Sequence, residues 1–203
     1  MTKDQEVNMR AKRTTKQTEQ LVLAAALTAM VVVLQLIATV SKVFLGLAIN
    51  LSLIPIVVGA AIGGVWLGAW LGFASGVAVL ITGEAAPFLA LNVPATLAMV
   101  LLKSMLAGIA SALVYKLLVN KGKKLAVYLS ATVCPVVNSS VFVILCTAFF
   151  KEIINEWGAA ANVDNAFTYF LFVVVLINFT LELIFNIVLS PYVVRLIEIR
   201  KKK

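Results

Sequence analysis

The stretch "NFTLELIFN", residues 178–186, places Asn178, Glu182 and Asn186 four residues apart inside a long apolar run. At that spacing the three share one helix face. A carboxylate between two amides on a hydrophobic helix is either a seam that bonds helices together or one wall of a polar recess. Lys103, in "LLKSMLAGIASALVYK", is a second charge in an apolar run, on a face with Asn92, Thr96 and Met99. It lies about nine residues, on the order of 14 Å, into its run, too deep to snorkel readily, and Glu182 lies at comparable depth. An ion pair between them would neutralise both. If Glu182 leaves it uncompensated, Lys103 suits an anionic ligand group, and the amides suit carbonyls and hydroxyls. Asn138, with Ser139 and Ser140 just after Pro135, and Gln35 in the first run add further polar steps. Polar groups thus come from about four helices, which favours a small-molecule site over simple packing.

Other chemistry is missing. The chain has no histidine, and its only aspartates are Asp4 and Asp164, both outside the apolar runs. That excludes HExxH zinc sites, a histidine-based triad and an intramembrane aspartyl dyad. No GxxxxGK[ST] loop is present, so ATP hydrolysis by that route is excluded too. Cys134 and Cys146, twelve positions apart, would lie about 18 Å apart along a helix, too far to bridge. The reading has no catalytic residue, no metal and no cofactor.

The elements that must position these residues are membrane spans. Of 203 residues 62% are hydrophobic and 13% charged, with a mean hydropathy of +1.04. Soluble domains run nearer half apolar and about a quarter charged. Apolar segments long enough to cross a ~30 Å hydrocarbon core fall at about Leu21–Ser41, Leu45–Ile62, Val65–Thr82, Pro94–Val119, Leu125–Phe150 and Phe167–Val194. Pro55 interrupts the second, and only "IGG" separates it from the third, so a merged re-entrant pair is the alternative there. The expectation is an all-α membrane protein, about six transmembrane helices in one bundle with both termini cytoplasmic. With six spans, fourteen Lys and Arg residues fall on one side and only Lys42 and Lys151 on the other, with Lys103 inside. Residues 1–18 then form a basic cytoplasmic arm, mobile or lying on the membrane surface, and 19–203 the six-helix substrate-binding domain. Because the positive charges flank spans, the +8 net charge is a topology signal and does not imply nucleic acid.

Two small-residue patterns imply close helix contacts. "GVWLGAWLGFASG" carries Gly64, Gly68, Gly72 and Gly76 every four residues, a bare face for another backbone. "LAAALTAM" carries Ala25 and Ala29 as an AxxxA pair in the first span. Between spans, "TGEAAPFLALNVP" holds Glu84 and Asn92, and "KEIINEWGAAANVDNAFTY" holds Trp157; aromatics and amides above a pocket suit a lid as well as an interfacial belt. The substrate-binding candidates are therefore Glu84, Asn92, Thr96, Lys103, Asn138, Trp157, Asn178 and Glu182.

Ala25 and Ala29, "NLSLIPIVVGAAIGGVWLGAWLGFASG" and "LLKSMLAGIASALVYK" together resemble the S component of an energy-coupling factor (ECF) vitamin transporter. The resemblance covers nearly the whole chain. It implies a multi-pass subunit of a prokaryotic-type cell membrane that captures a water-soluble vitamin or related small molecule from outside, of the riboflavin, pantothenate, folate or lipoate class. It also implies a pocket roofed by the loops after helices 1, 3 and 5, and delivery by toppling in the bilayer. Docking to a transmembrane T component through the Ala25 and Ala29 face, and drive by two ABC ATPases, complete the expectation. The family varies its pocket with substrate, so the pocket residues rest on depth and facing alone. A self-contained carrier or channel, and a non-transport membrane scaffold, are the competing readings.

Overall fold

In hydrocarbon every backbone N–H and C=O must be satisfied within the chain, which for apolar runs of this kind means helices. The computed structural model describes the backbone of residues 3–45, 50–160, 166–170 and 175–201, and side chains over 17–41, 50–156, 167–168, 170 and 175–198. Its elements are α1 (Lys3–Leu45), α2 (Leu53–Ile81), α3 (Ala86–Leu89), α4 (Val93–Leu118), α5 (Lys123–Phe149), α6 (Lys151–Ala160), α7 (Ala166–Tyr169) and α8 (Leu176–Lys201). Helix α1 begins at Lys3, so the backbone of the basic segment at residues 3–18 continues helix α1.

Among the described residues five helices are long and apolar enough to cross a membrane: Gln17–Ser41, Leu53–Ile81, Val93–Leu118, Lys123–Phe149 and Leu176–Glu198. The expected second and third spans are joined in α2, which is broken at Gly64 (φ 72°, ψ −159°). This left-handed φ suits glycine, since a Cβ would be strained there. The chain doubles back at that point. Ser52 Oγ and Ser75 Oγ, which would stand about 34 Å apart along a straight helix, lie 2.8 Å from each other. Leu71 packs against Gly59 in the same antiparallel register. Helix α2 is thus a hairpin with legs over 53–63 and 65–81, so the described residues hold six apolar legs.

The first leg is short, about 16 Å, so it starts near mid-depth and not at Leu45. The reason is local: Asn50 Oδ1 accepts from the Ser52 N–H (3.3 Å) and Oγ (2.6 Å). An Asx-type turn of this kind competes with helical pairing. Residues 46–49 lie outside the described residues. Removing the Ser75 hydroxyl is expected to cost about 1 kcal/mol, and the double variant is expected to be no worse than Ser52→Ala alone, which already loses the bond to Asn50 as well. Thermal unfolding of the detergent-purified variants checks this, and full additivity would place the two hydroxyls apart.

The second leg meets α4 along the glycine ladder. Gly68 lies on the Gly108 carbonyl, Gly72 on that of Ser104 and Gly76 on that of Val100, one antiparallel register at three successive turns. Gly64 does not join the contact; nothing lies within 4 Å of the Cβ it lacks, and its role is the turn.

Two apolar clusters hold the bundle. One, toward the end carrying the termini and the α4–α5 turn, includes Leu27, Val31, Leu53, Ile56, Leu71, Tyr115, Ala126, Cys134 and Val193. The other, toward the opposite end, includes Val79, Ala95, Met99, Val100, Cys146, Phe150 and Ile154.

Candidate substrate-binding site

The polar residues fall in the layer between those clusters. On α4 the gap between Val100 and Ala107 holds Lys103 and Ser104, and on α5 the gap between Cys134 and Cys146 holds Asn138 and Phe142. Gln35 lies one turn beyond Val31 on α1, Ser75 lies between Leu71 and Val79, and Glu182 precedes Val193 on α8. Gln35 (1% exposed), Ser104 (1%), Asn138 (4%) and Glu182 (7%) are buried.

Contacts tie these residues into one group. Gln35 Nε2 donates to Glu84 Oε2, joining α1 to the loop after α2. Glu84 and Lys103 both act electrostatically on the Glu182 carboxylate, and Asn138 is its hydrogen-bonding side-chain neighbour. Of the two arrangements open to Lys103, the ion pair is not the one seen: among the described residues, Lys103 forms no salt bridge with Glu182. Its ammonium instead stands 4.9 Å from the centroid of the Phe142 ring, an arrangement that stabilises a partly desolvated cation by about 1 kcal/mol or more. Phe142 in turn packs edge-on to Phe88 of α3 (6.1 Å) and against Phe170 (6.2 Å), while Phe88 meets Phe150 at 5.1 Å. An aromatic layer therefore covers the site toward the α3 end.

Within this group several polar atoms have no partner. Gln35 Oε1, Ser104 Oγ, Asn138 Oδ1, Asn178 Oδ1 and Glu182 Oε2 are buried atoms without a hydrogen-bond partner among the described residues. Tyr115 Oη and Ser130 Oγ share that condition nearer the other end. Orphaned buried polar atoms are rare and costly in low dielectric, and five fall in this one layer.

Several predicted residues have other duties. Asn92 caps α4, its Oδ1 accepting from the Ala95 N–H at 3.1 Å, and its surface is exposed. Thr96 is buried, its hydroxyl donating to the Asn92 carbonyl at 2.7 Å. Asn186 donates to the Glu182 backbone carbonyl (2.8 Å), which leaves Asn178 as the amide of the opening motif with a free acceptor. Ser139 and Ser140 turn away from Asn138 and line an apolar groove of about 440 Å³ between α5 and α8 with Val143 and Phe179. Trp157 belongs to α6, and its side chain lies outside the described residues. Phe142 and the Gln35–Glu84 bond were not anticipated. Phe142 lies one turn after Asn138, a spacing that marks the shared face.

The Gln35–Glu84 bond fastens the loop after α2 to α1. Glu84→Ala is expected to speed hydrogen exchange of the 82–92 amides several-fold without altering exchange at the ladder. Unchanged loop exchange would show that the bond restrains nothing.

A second recess lies far from this layer. A cleft of about 540 Å³ opens between α1 and the hairpin turn, lined by Gln17, Gln20, Ala24, Trp66 and Trp70 among others. Ala25 and Ala29 are exposed on the same stretch of α1. Trp70 Nε1 donates to Thr28 Oγ1 at 3.1 Å, and Trp66 is 86% exposed.

An apolar helical bundle with a layer of buried polar residues in its interior defines a multi-pass membrane protein. Residues 19–194 match the family model described as "ECF transporter, substrate-specific component", and the chain belongs to that family. It is thus a transporter subunit of the cell membrane and not an enzyme. Comparison with curated proteins and with solved structures found no match.

Proposed function

We propose that this subunit captures a water-soluble vitamin or related small molecule of the riboflavin, pantothenate, folate or lipoate class from outside the cell. It then passes the molecule inward together with a T component and two ABC ATPases. Gln35, Lys103, Asn138, Asn178 and Glu182 make the proposed ligand contacts, with Glu84 and the Phe88–Phe142 layer closing over them. Asn92 and Thr96 shape the entrance to α4, and Trp157 belongs to the outer rim. The observation that carries the reading is the set of buried, unpartnered polar atoms in the layer of Lys103, which has no carboxylate partner among the described residues. A structural seam would satisfy its polar atoms internally.

Both termini are cytoplasmic in this reading, supported by the fourteen-to-two distribution of basic residues. The face carrying Ala25 and Ala29 is the docking face for the T component; its exposure supports that assignment. Native mass spectrometry of the purified protein, with the ligand identified after release, tests the proposal. A bound vitamin-like molecule, lost in Lys103→Ala, is the expected result. A protein that stays empty and binds no vitamin would return the polar layer to a packing role.

A further inference from the structure

We propose that the cleft between α1 and the hairpin turn binds one anionic phospholipid, drawn from the leaflet on the amino-terminal side. The inference is independent of what the subunit transports, since the residues it uses lie outside the buried polar layer. The cleft stands where the boundary of the hydrocarbon falls. The apolar span of α1 begins at Gln17, and the cleft runs from Gln17 and Gln20 to Leu23, Ala24 and Leu67. Trp70, which forms part of its wall, is fixed one turn deeper by its bond to Thr28. From Gln17 to Thr28 is about 16 Å along the helix. Amides therefore form the rim and apolar side chains the floor, the same order in which a bilayer passes from headgroups to hydrocarbon.

Charge selects the headgroup. Among the described residues no acidic side chain lines the cleft. Helix α1 is continuous from Lys3 to Leu45, so Arg13 stands four residues before Gln17 and Lys16 four before Gln20, one turn out from the rim on the same face. Each basic residue near an anionic lipid surface contributes about a fivefold preference. Two of them beyond a neutral amide rim match a lipid phosphate that carries no cation of its own. Trp66 completes the match: it is 86% exposed beside the Gly64 turn, at the depth where indole rings settle between headgroups and chains. A segment of a partner protein is the competing occupant. The change of polarity along the cleft, in step with the bilayer, favours the lipid.

Native mass spectrometry of the full-length protein, delipidated in detergent and offered equal amounts of phosphatidylglycerol and phosphatidylcholine with the same chains, tests this. One phosphatidylglycerol per protein is expected, preferred by about tenfold or more, and glycerol phosphate without chains is not expected to compete. Arg13→Gln combined with Lys16→Gln, outside the apolar span, should reduce the preference to about twofold or less. Ala24→Trp fills the cleft and keeps both charges, so it should abolish retention of the lipid. Trp66→Gln, at an exposed position, should weaken retention by about fivefold with thermal unfolding unchanged, and it keeps the test decisive if Ala24→Trp does not fold.

Equal retention of the two lipids would overturn the inference. So would a preference for phosphatidylglycerol that survives both Ala24→Trp and Trp66→Gln, which would reduce it to general attraction between a basic segment and an anionic surface. Indifference to lipid, with Trp66 fluorescence shifting only when the T component binds, would give the cleft to a protein partner instead.

Discussion

Gly72→Val is expected to leave little correctly folded protein, with a loss of at least about 3 kcal/mol, at the upper end of what overpacking produces. A Cβ at Gly72 would stand 2.2 Å from the Ser104 carbonyl oxygen and 2.7 Å from its carbon. Both belong to the α4 backbone, so no rotamer change can relieve the clash; the helices must separate. Separation would also open the neighbouring contacts, where a Cβ on Gly68 meets the Gly108 oxygen at 2.6 Å and one on Gly108 meets the Gly68 oxygen at 2.1 Å. Membrane helices associate largely through such packing, with no hydrophobic term to compensate. Gly76→Ala is milder, since its nearest neighbour, the Val100 oxygen, would lie at 3.0 Å. Size-exclusion profiles and thermal unfolding in detergent check the order. A Gly72→Val protein as stable as the parent would mean that α2 and α4 do not meet through this face.

The second large effect concerns the proposed docking face. Ala25→Trp combined with Ala29→Trp adds bulk to exposed positions, so the bundle should fold and its ligand affinity should stay within about twofold of the parent, as for changes distant from the site. Association with the T component, and with it cellular uptake, should fall by about 100-fold or more, the effect expected when large side chains keep two close-packed helices apart. Pull-down of the assembled complex and uptake of labelled ligand measure the two quantities. Loss of ligand binding in the same variant would place Ala25 and Ala29 in the fold and not at an interface.

Much of this architecture was legible in the residues, because hydrocarbon restricts the choices. Runs of apolar residues between Gly, Asn and basic clusters can only be helices, and the four-residue glycine period announced a backbone-to-backbone contact. Its partner was not legible, since a bare face on one helix says nothing about which helix covers it. The α2 hairpin illustrates the limit. "IGG" reads as punctuation, but only the Gly64 backbone and the Ser52–Ser75 contact show that the chain reverses there. The short first leg was misjudged because hydropathy does not register that Asn50 bonds to Ser52.

The buried polar layer was readable in depth and less so in pairing. Lys103, Asn138, Asn178 and Glu182 stood out because polar residues in apolar runs are costly. That Lys103 rests on Phe142, and not on Glu182, depends on side-chain placement no spacing rule supplies. Asn92 was drawn into the site by its shared face with Lys103, yet it sits where α4 begins and its side chain caps the helix. An amide just before a Val-Pro helix start is itself a capping signal.

The central claim is that this protein binds the transported molecule but needs an energised partner to move it. Uptake of the bound ligand into proteoliposomes, measured for this subunit alone and for the subunit reconstituted with a T component, two ATPases and ATP inside, tests that claim most directly. Binding without accumulation is expected for the lone subunit, and ATP-dependent accumulation for the full assembly. Accumulation by the lone subunit, unaffected by ATP, would contradict it and identify a self-contained carrier.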